Sequence, residues 1–208
     1  MAILSVNQLV SETRKAFLGK GYSFGQADDV ARAIEWLAGF GHVPSDEITH
    51  LLDAPQEGAP LCPQMQGTSL IQKGHLGLVD VMAALDFYEA YEAEALVLSG
   101  LSYRVISCAL IARRAAPPLG QFVDEKGAML SVICQDLTRQ DITRQDAPFT
   151  LSLRRCDFIA DSPSAWPARI TIEEGAYQML KRCAFETYVP SSDQSREAGA
   201  GAGLNDND

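Results

Sequence analysis

Apolar and small residues recur at three- and four-residue intervals over two early stretches. Val6, Leu9, Val10, Thr13, Ala16 and Phe17 form the first series, and Ala27, Val30, Ala31, Ile34, Leu37 and Ala38 the second. That spacing lays one face of a helix against a core. Each series opens on a serine followed three residues later by a glutamine, Ser5 with Gln8 and Ser23 with Gln26. In this pattern the two side chains and the free backbone N–H groups of a helix start satisfy one another. Each series closes on glycines, Gly19 and Gly21, then Gly39 and Gly41, as helices commonly do. The pattern predicts two amphipathic helices joined by a short turn.

A third, shorter helix is expected after Ser45, with Asp46 and Glu47 in a first turn where the helix dipole favours negative charge. Its apolar side is Ile48, Leu51 and Leu52. Residues 54–75 hold Pro55, Gly58, Pro60, Pro63, Gly67 and Gly74 and read as an irregular excursion. A helix is then expected from Asp80 to about Ala93, with Phe87 and Tyr91 on one face. Leu96 to Leu98 is a strand candidate, and Leu101 to Ala115 a buried helix ended by Pro117 and Pro118.

Beyond it the pattern changes period. Gln121 to Val123, Ala128 to Cys134, Phe149 to Arg155 and Arg169 to Ile172 are short and rich in strand formers. Phe149, Leu151 and Leu153 alternate with polar residues, as in a half-buried strand. Residues 135–146 repeat a Thr-Arg-Gln-Asp unit and read as a loop or frayed turn. Glu173 and Glu174 open a last helix with Ala176, Met179, Leu180, Cys183, Ala184 and Tyr188 on its apolar face. The expected class is α+β: an N-terminal helical layer packed on a small, mainly antiparallel sheet, closed by a C-terminal helix and a glycine-rich tail. We expect one domain over residues 1–187, helical over 1–115 and strand-rich over 119–187, with a tail over 188–208.

The 208 residues suffice for a substantial core, and 47% hydrophobic with 21% charged residues is an ordinary globular composition. Net charge changes the picture more. At −10, with no basic run to offset it, the chain is unsuited to nucleic acid or an anionic membrane surface. The cysteines Cys62, Cys108, Cys134, Cys156 and Cys183 are odd in number and widely spaced, which points to reduced thiols rather than a disulfide framework or zinc site. The opening MAILSVNQL lacks the features of a signal peptide and no stretch is long enough to span a membrane, so a cytoplasmic location is expected.

Candidate chemistry is sparse upstream. His42, His50 and His75 do not pair at metal-binding helical spacing. Asp80, Asp86, Glu89, Glu92 and Glu94 read as a solvated helix face, and Trp36 and Trp166 as core or rim. The C-terminal stretch YVPSSDQSREAGAGAGLNDND stands apart. Gly199, Gly201 and Gly203, with alanines between them, present successive backbone N–H groups of the kind that cradle an anion. Arg196 adds a guanidinium suited to a carboxylate or phosphate, and Ser191, Ser192 and Ser195 add hydroxyl donors. The expected ligand-binding set is Ser192, Ser195, Arg196, Gly199, Gly201 and Gly203, with Asp206 and Asp208 as hard oxygen ligands for magnesium or calcium. The glycine run is not a dinucleotide fingerprint, which needs a strand before it and a helix after it. No catalytic set is legible, and no cofactor is assigned.

The stretches GYSFGQADDVARAIEWLAGFG and YVPSSDQSREAGAGAGLNDND together resemble an uncharacterised bacterial family, a domain of unknown function whose members end on the same Gly-Ala-rich, Asp-Asn-Asp signature. That resemblance implies a bacterial cytoplasmic protein and transfers no catalytic residue. A fainter likeness to the malate and lactate dehydrogenases outside the Rossmann class stops at His42, where Val43, Pro44 and Ser45 stand in place of their Ser-His-Gly step. Two functions fit these observations. One is a protein that binds or converts a small anionic metabolite with its C-terminal segment. The other is a non-catalytic accessory subunit whose tail docks into a partner or a neighbouring protomer.

Overall fold

The computed structural model describes residues 1–54, 60–114, 121–123, 150–156 and 167–187. The two capped series fold as expected, into α1 (Val6–Gly19) and α2 (Phe24–Gly39). Ser5 accepts the Gln8 N–H at 3.1 Å. At Ser23 both halves of the reciprocal cap form, the Gln26 N–H reaching Ser23 Oγ at 3.3 Å and the Ser23 N–H reaching Gln26 Oε1 at 2.9 Å. The residues read as the apolar faces bury, except Val6, which is partly buried, and Ala33 and Trp36 of α2 bury with them. Helix α3 (Ser45–Asp53) follows.

The excursion expected over residues 54–75 is corrected by the structure. It carries β2 (Gln64–Gln66) and β3 (Ser69–Leu76), paired antiparallel across Gly67 and Thr68. Breakers punctuate these strands rather than abolish them: Gly67 sits in the connecting turn and Gly74 at a bulge. Next come α4 (Leu78–Ala90), β4 (Ala95–Leu101) and α5 (Arg104–Arg114), so Leu101 ends a strand instead of starting a helix. Phe87 and Tyr91 stack, ring centroids 5.7 Å apart.

The remaining described elements are β5 (Gln121–Val123), β6 (Thr150–Cys156), β7 (Ile170–Ile172) and α6 (Glu174–Phe185). The strand expected over 128–134, the repeat over 135–146 and Trp166 lie outside the described residues. One five-stranded sheet runs β2-β3-β4-β6-β5. Its β3–β4 pair is parallel, joined through α4, and its other pairs are antiparallel. A strand absent from the sequence reading, β1 (Ala2–Leu4), pairs antiparallel with β7 in a separate two-stranded sheet. The fold is α+β.

A single apolar cluster runs from Leu4 through Phe17, Ile34, Leu52, Leu85, Leu96 and Ile106 to Leu180. Helix α6 packs on α1 and α3, α5 packs on α2, and α4 lies over β3. Strand β3 points Leu70 and Leu76 into this core. Gln72 falls on the same side by the two-residue alternation, opposite Leu98 in the register. A carboxamide thus occupies an apolar row. That exception marks where the site lies.

Candidate functional site

Gln72 is only 2% exposed. Burying an amide is unfavourable unless its polar atoms find partners. Its Nε2 donates to the Leu61 carbonyl at 2.8 Å, whereas its Oε1 has no hydrogen-bond partner among the described residues. Leu61 is fixed from its other side too, its N–H donating to Asp80 Oδ1 at 2.7 Å. The second oxygen of Asp80 accepts the Gly77 N–H at 3.0 Å, closing the start of α4. One carboxylate therefore anchors both a helix N-terminus and the chain segment that leads into β2.

Asp80 was expected on a solvated acidic face and is in fact buried, 7% exposed. Asp86, Glu89, Glu92 and Glu94 are exposed as read. Asp80→Ala would leave two backbone N–H groups without their acceptor, at about 1–3 kcal/mol in all. The expected result is lower stability with markedly faster hydrogen exchange at Leu61 than at the amides of α1, measured by mass spectrometry or NMR.

Beside this anchor lies an open groove of about 370 Å³, towards the lower end of the ~300–1,000 Å³ typical of small-molecule sites. It is lined by Leu61, Cys62, Gln64, Gln66, Ile71, Gln72 and Lys73. Three carboxamides, one ammonium and one thiol converge here, with Leu61 and Ile71 as apolar wall. The groove follows β2, the edge strand of the sheet among the described residues, where Gln64, Met65 and Gln66 are all exposed. Sequence reasoning missed it because β3 was hidden among breakers. The usable signal was Gln72 in phase with Leu70 and Leu76.

A second polar centre joins the helices. Glu47 of α3 is 3% exposed and accepts the Val105 N–H at 3.0 Å and the Ile106 N–H at 2.9 Å, capping α5 from another element. Burial pushes its carboxyl up to about 7, opposed by the backbone N–H groups of Val105, Ile106 and Arg104 and by the Arg104 charge. Ser45, expected as the start signal of its own helix, instead accepts the Glu173 N–H at 3.3 Å ahead of α6. The first turn of α3 thus caps two other helices. This is an internal brace, with the anion position at α5 already filled by a carboxylate.

His50 is exposed and packs edge-on against Tyr103, ring centroids 6.2 Å apart, and His75 is exposed on β3. His42 is partly buried, which lowers its pKa, and its Nε2 has no hydrogen-bond partner among the described residues. Among the described residues no group of His, Cys, Asp and Glu is placed to hold a metal ion. Ser192, Ser195, Arg196, Gly199, Gly201, Gly203, Asp206 and Asp208 lie outside the described residues.

Comparison with protein families bears on the N-terminal part. Residues 4–62 match a family model described as "Protein of unknown function (DUF3726)". The match takes in α1, α2 and α3 with Glu47 and reaches the groove at Leu61 and Cys62, while Gln72, Lys73 and Asp80 lie beyond it. It covers the stretch Gly21–Gly41 that carried part of the family resemblance. No curated protein and no solved structure gives a significant match. Among the described residues no helix is long and apolar enough to cross a membrane.

Proposed function

We propose that this protein binds a small anionic molecule in the groove between Leu61 and β3. The observation that carries the reading is the polar lining of the groove, where the Lys73 ammonium lies among the carboxamides Gln64, Gln66 and Gln72. A carboxylate or phosphate on the ligand would meet the ammonium. Gln64 and Gln66 offer further donors and acceptors. In this reading Ser192, Ser195, Arg196, Gly199, Gly201 and Gly203 add contacts to the same anion, and Asp206 with Asp208 would hold a divalent cation.

The test is thermal stabilisation by a panel of small carboxylates and phosphates. A ligand present at about 100 times its Kd adds roughly 2.7 kcal/mol, a shift of several degrees for a chain of this size. Lys73→Gln is expected to remove most of that shift while leaving the ligand-free Tm unchanged, since Lys73 is exposed. Deletion of residues 196–208 is expected to weaken it further. Full stabilisation of the Lys73→Gln chain would sink the groove reading, and full stabilisation of the truncated chain would sink the role of the tail.

One observation favours a second reading, that of an accessory subunit. Among the described residues strand β2 is the outermost of its sheet, with Met65 within it and Leu61 ahead of it at 42% and 47% exposure. Edges of this kind accept an added strand from a partner. Co-purification of full-length and tail-truncated chains from the native host separates the two readings, because docking through the tail predicts a partner lost on truncation.

A further inference from the structure

Helix α4 buries one side against β3 and α5, but its outer side is not the polar face of an ordinary surface helix. Val79, Ala83, Phe87 and Tyr91 follow at four-residue intervals and make an apolar row, half-buried over the first three and 60% exposed at Tyr91. Exposed Ala90 lies beside the row, and the Phe87 and Tyr91 rings stack at its end. Carboxylates gather around that end: Glu89, Glu92 and Glu94 are all exposed, and no lysine or arginine occurs between Lys73 and Arg104. An exposed apolar row rimmed by charges of one sign marks an interaction surface.

Glu92 is also unfavourable for folding. The ends of α1 and α2 close on paired backbone bonds in which Gly21 and Gly41 take φ +87° and +78°. The same pair closes α4, the N–H groups of Glu92 and Ala93 donating to Glu89 and Tyr88, yet here the left-handed residue is a glutamate, at φ +49°. Its charge also meets the negative end of the helix dipole. Neither the backbone nor the dipole favours glutamate there.

We propose that the outer face of α4 docks a basic amphipathic helix of a partner protein. The apolar stripe of that helix lies along Val79, Ala83, Phe87 and Tyr91, and its lysines or arginines meet Glu89, Glu92 and Glu94. Charge decides among the occupants. A second copy of this chain, at net charge −10, brings more carboxylate to the face, and an anionic membrane adds charge of the same sign. A cationic helix neutralises the rim, and its ammonium or guanidinium groups gain further from the Tyr91 ring. The surface shares no lining residue with the groove and does not depend on a ligand there.

The test uses the full-length chain and three synthetic peptides: leucine and lysine arranged as an amphipathic helix, the same design with glutamate for lysine, and a shuffled sequence of the first composition. Binding is read by fluorescence anisotropy of the labelled peptide and located by nitrogen-15 shift mapping. The basic amphipathic peptide is expected to move the amides of Phe87, Ala90 and Tyr91, and the other two to bind at least about ten-fold more weakly. Tyr91→Ala should weaken the basic peptide by about five-fold or more. Glu92→Gly separates docking from folding. It should raise the ligand-free Tm, since glycine suits the left-handed position and the charge is gone, yet weaken binding by about two- to five-fold, the size of one exposed ion pair. The proposal is overturned if the basic peptide does not bind, if the shuffled or acidic peptide binds equally well, if the shifts map away from α4, or if both variants bind as the wild type does. Self-association of the free chain that Tyr91→Ala abolishes, read as a doubled mass by light scattering, overturns it in favour of a second copy.

Discussion

Glu47→Ala should cost about 3–5 kcal/mol of folding stability, although Glu47 sits in a short helix and its partners are 58 and 59 residues away. The alanine removes both oxygens that receive the buried Val105 and Ile106 N–H groups. Urea denaturation would show the loss as a lower midpoint with little change in slope. Glu47→Gln isolates the charge. The folded carboxyl titrates near 7 against an ordinary value of 4.5, so between those values the folded protein holds a proton that the unfolded chain releases. The associated stability is fully present below pH 4.5 and is lost as pH rises through about 7. Measured against the non-titrating glutamine variant, the wild type should lose on the order of 3 kcal/mol across that window and nothing more above it. His42 is shared by both proteins and cancels in the difference.

Gly100→Ala should be at least as damaging, at more than about 3 kcal/mol. Gly100 has φ +89°, in the left-handed region, and a Cβ there would lie 1.8 Å from the Gly74 carbonyl oxygen. Gly74 itself has φ +136° and marks the register shift in the parallel β3–β4 pair. The two strands can approach this closely only without side chains, so the substitution must push them apart beside the groove. Gly25→Ala, in the first turn of α2, meets nothing within 4 Å and serves as the control. It should be neutral or stabilising by up to about 1 kcal/mol. Thermal unfolding of the two variants in parallel separates a backbone requirement from a general effect of added methyl groups.

These residues also show what the sequence could reveal. Helices α1 and α2 were legible because their caps and their apolar spacing are local and agree. Strand β3 was not, because a turn glycine and a bulge glycine break its pattern, and its partner β4 comes only after an intervening helix. Asp80 and Glu47 carry the charge of surface residues, and their burial depends on backbone N–H groups brought from Leu61 and from Val105 and Ile106. No local rule points to those partners. Gln72 is the intermediate case: its amide in an apolar phase was visible, but only to a reading that already had the strand. The C-terminal segment stands out in the sequence by its unusual composition, whereas the groove is made of ordinary residues whose arrangement alone is informative.

In the proposed function a small anionic ligand sits in the groove against Lys73. The most direct measurement is nitrogen-15 chemical-shift mapping of the full-length chain, titrated with the carboxylate or phosphate that stabilises it most. The side-chain amides of Gln64 and Gln66 and the backbone amides of Ile71 and Lys73 are expected to shift together and saturate with one Kd. Saturable shifts that map elsewhere, with Gln64, Gln66 and Lys73 unmoved, would rule out binding in the groove.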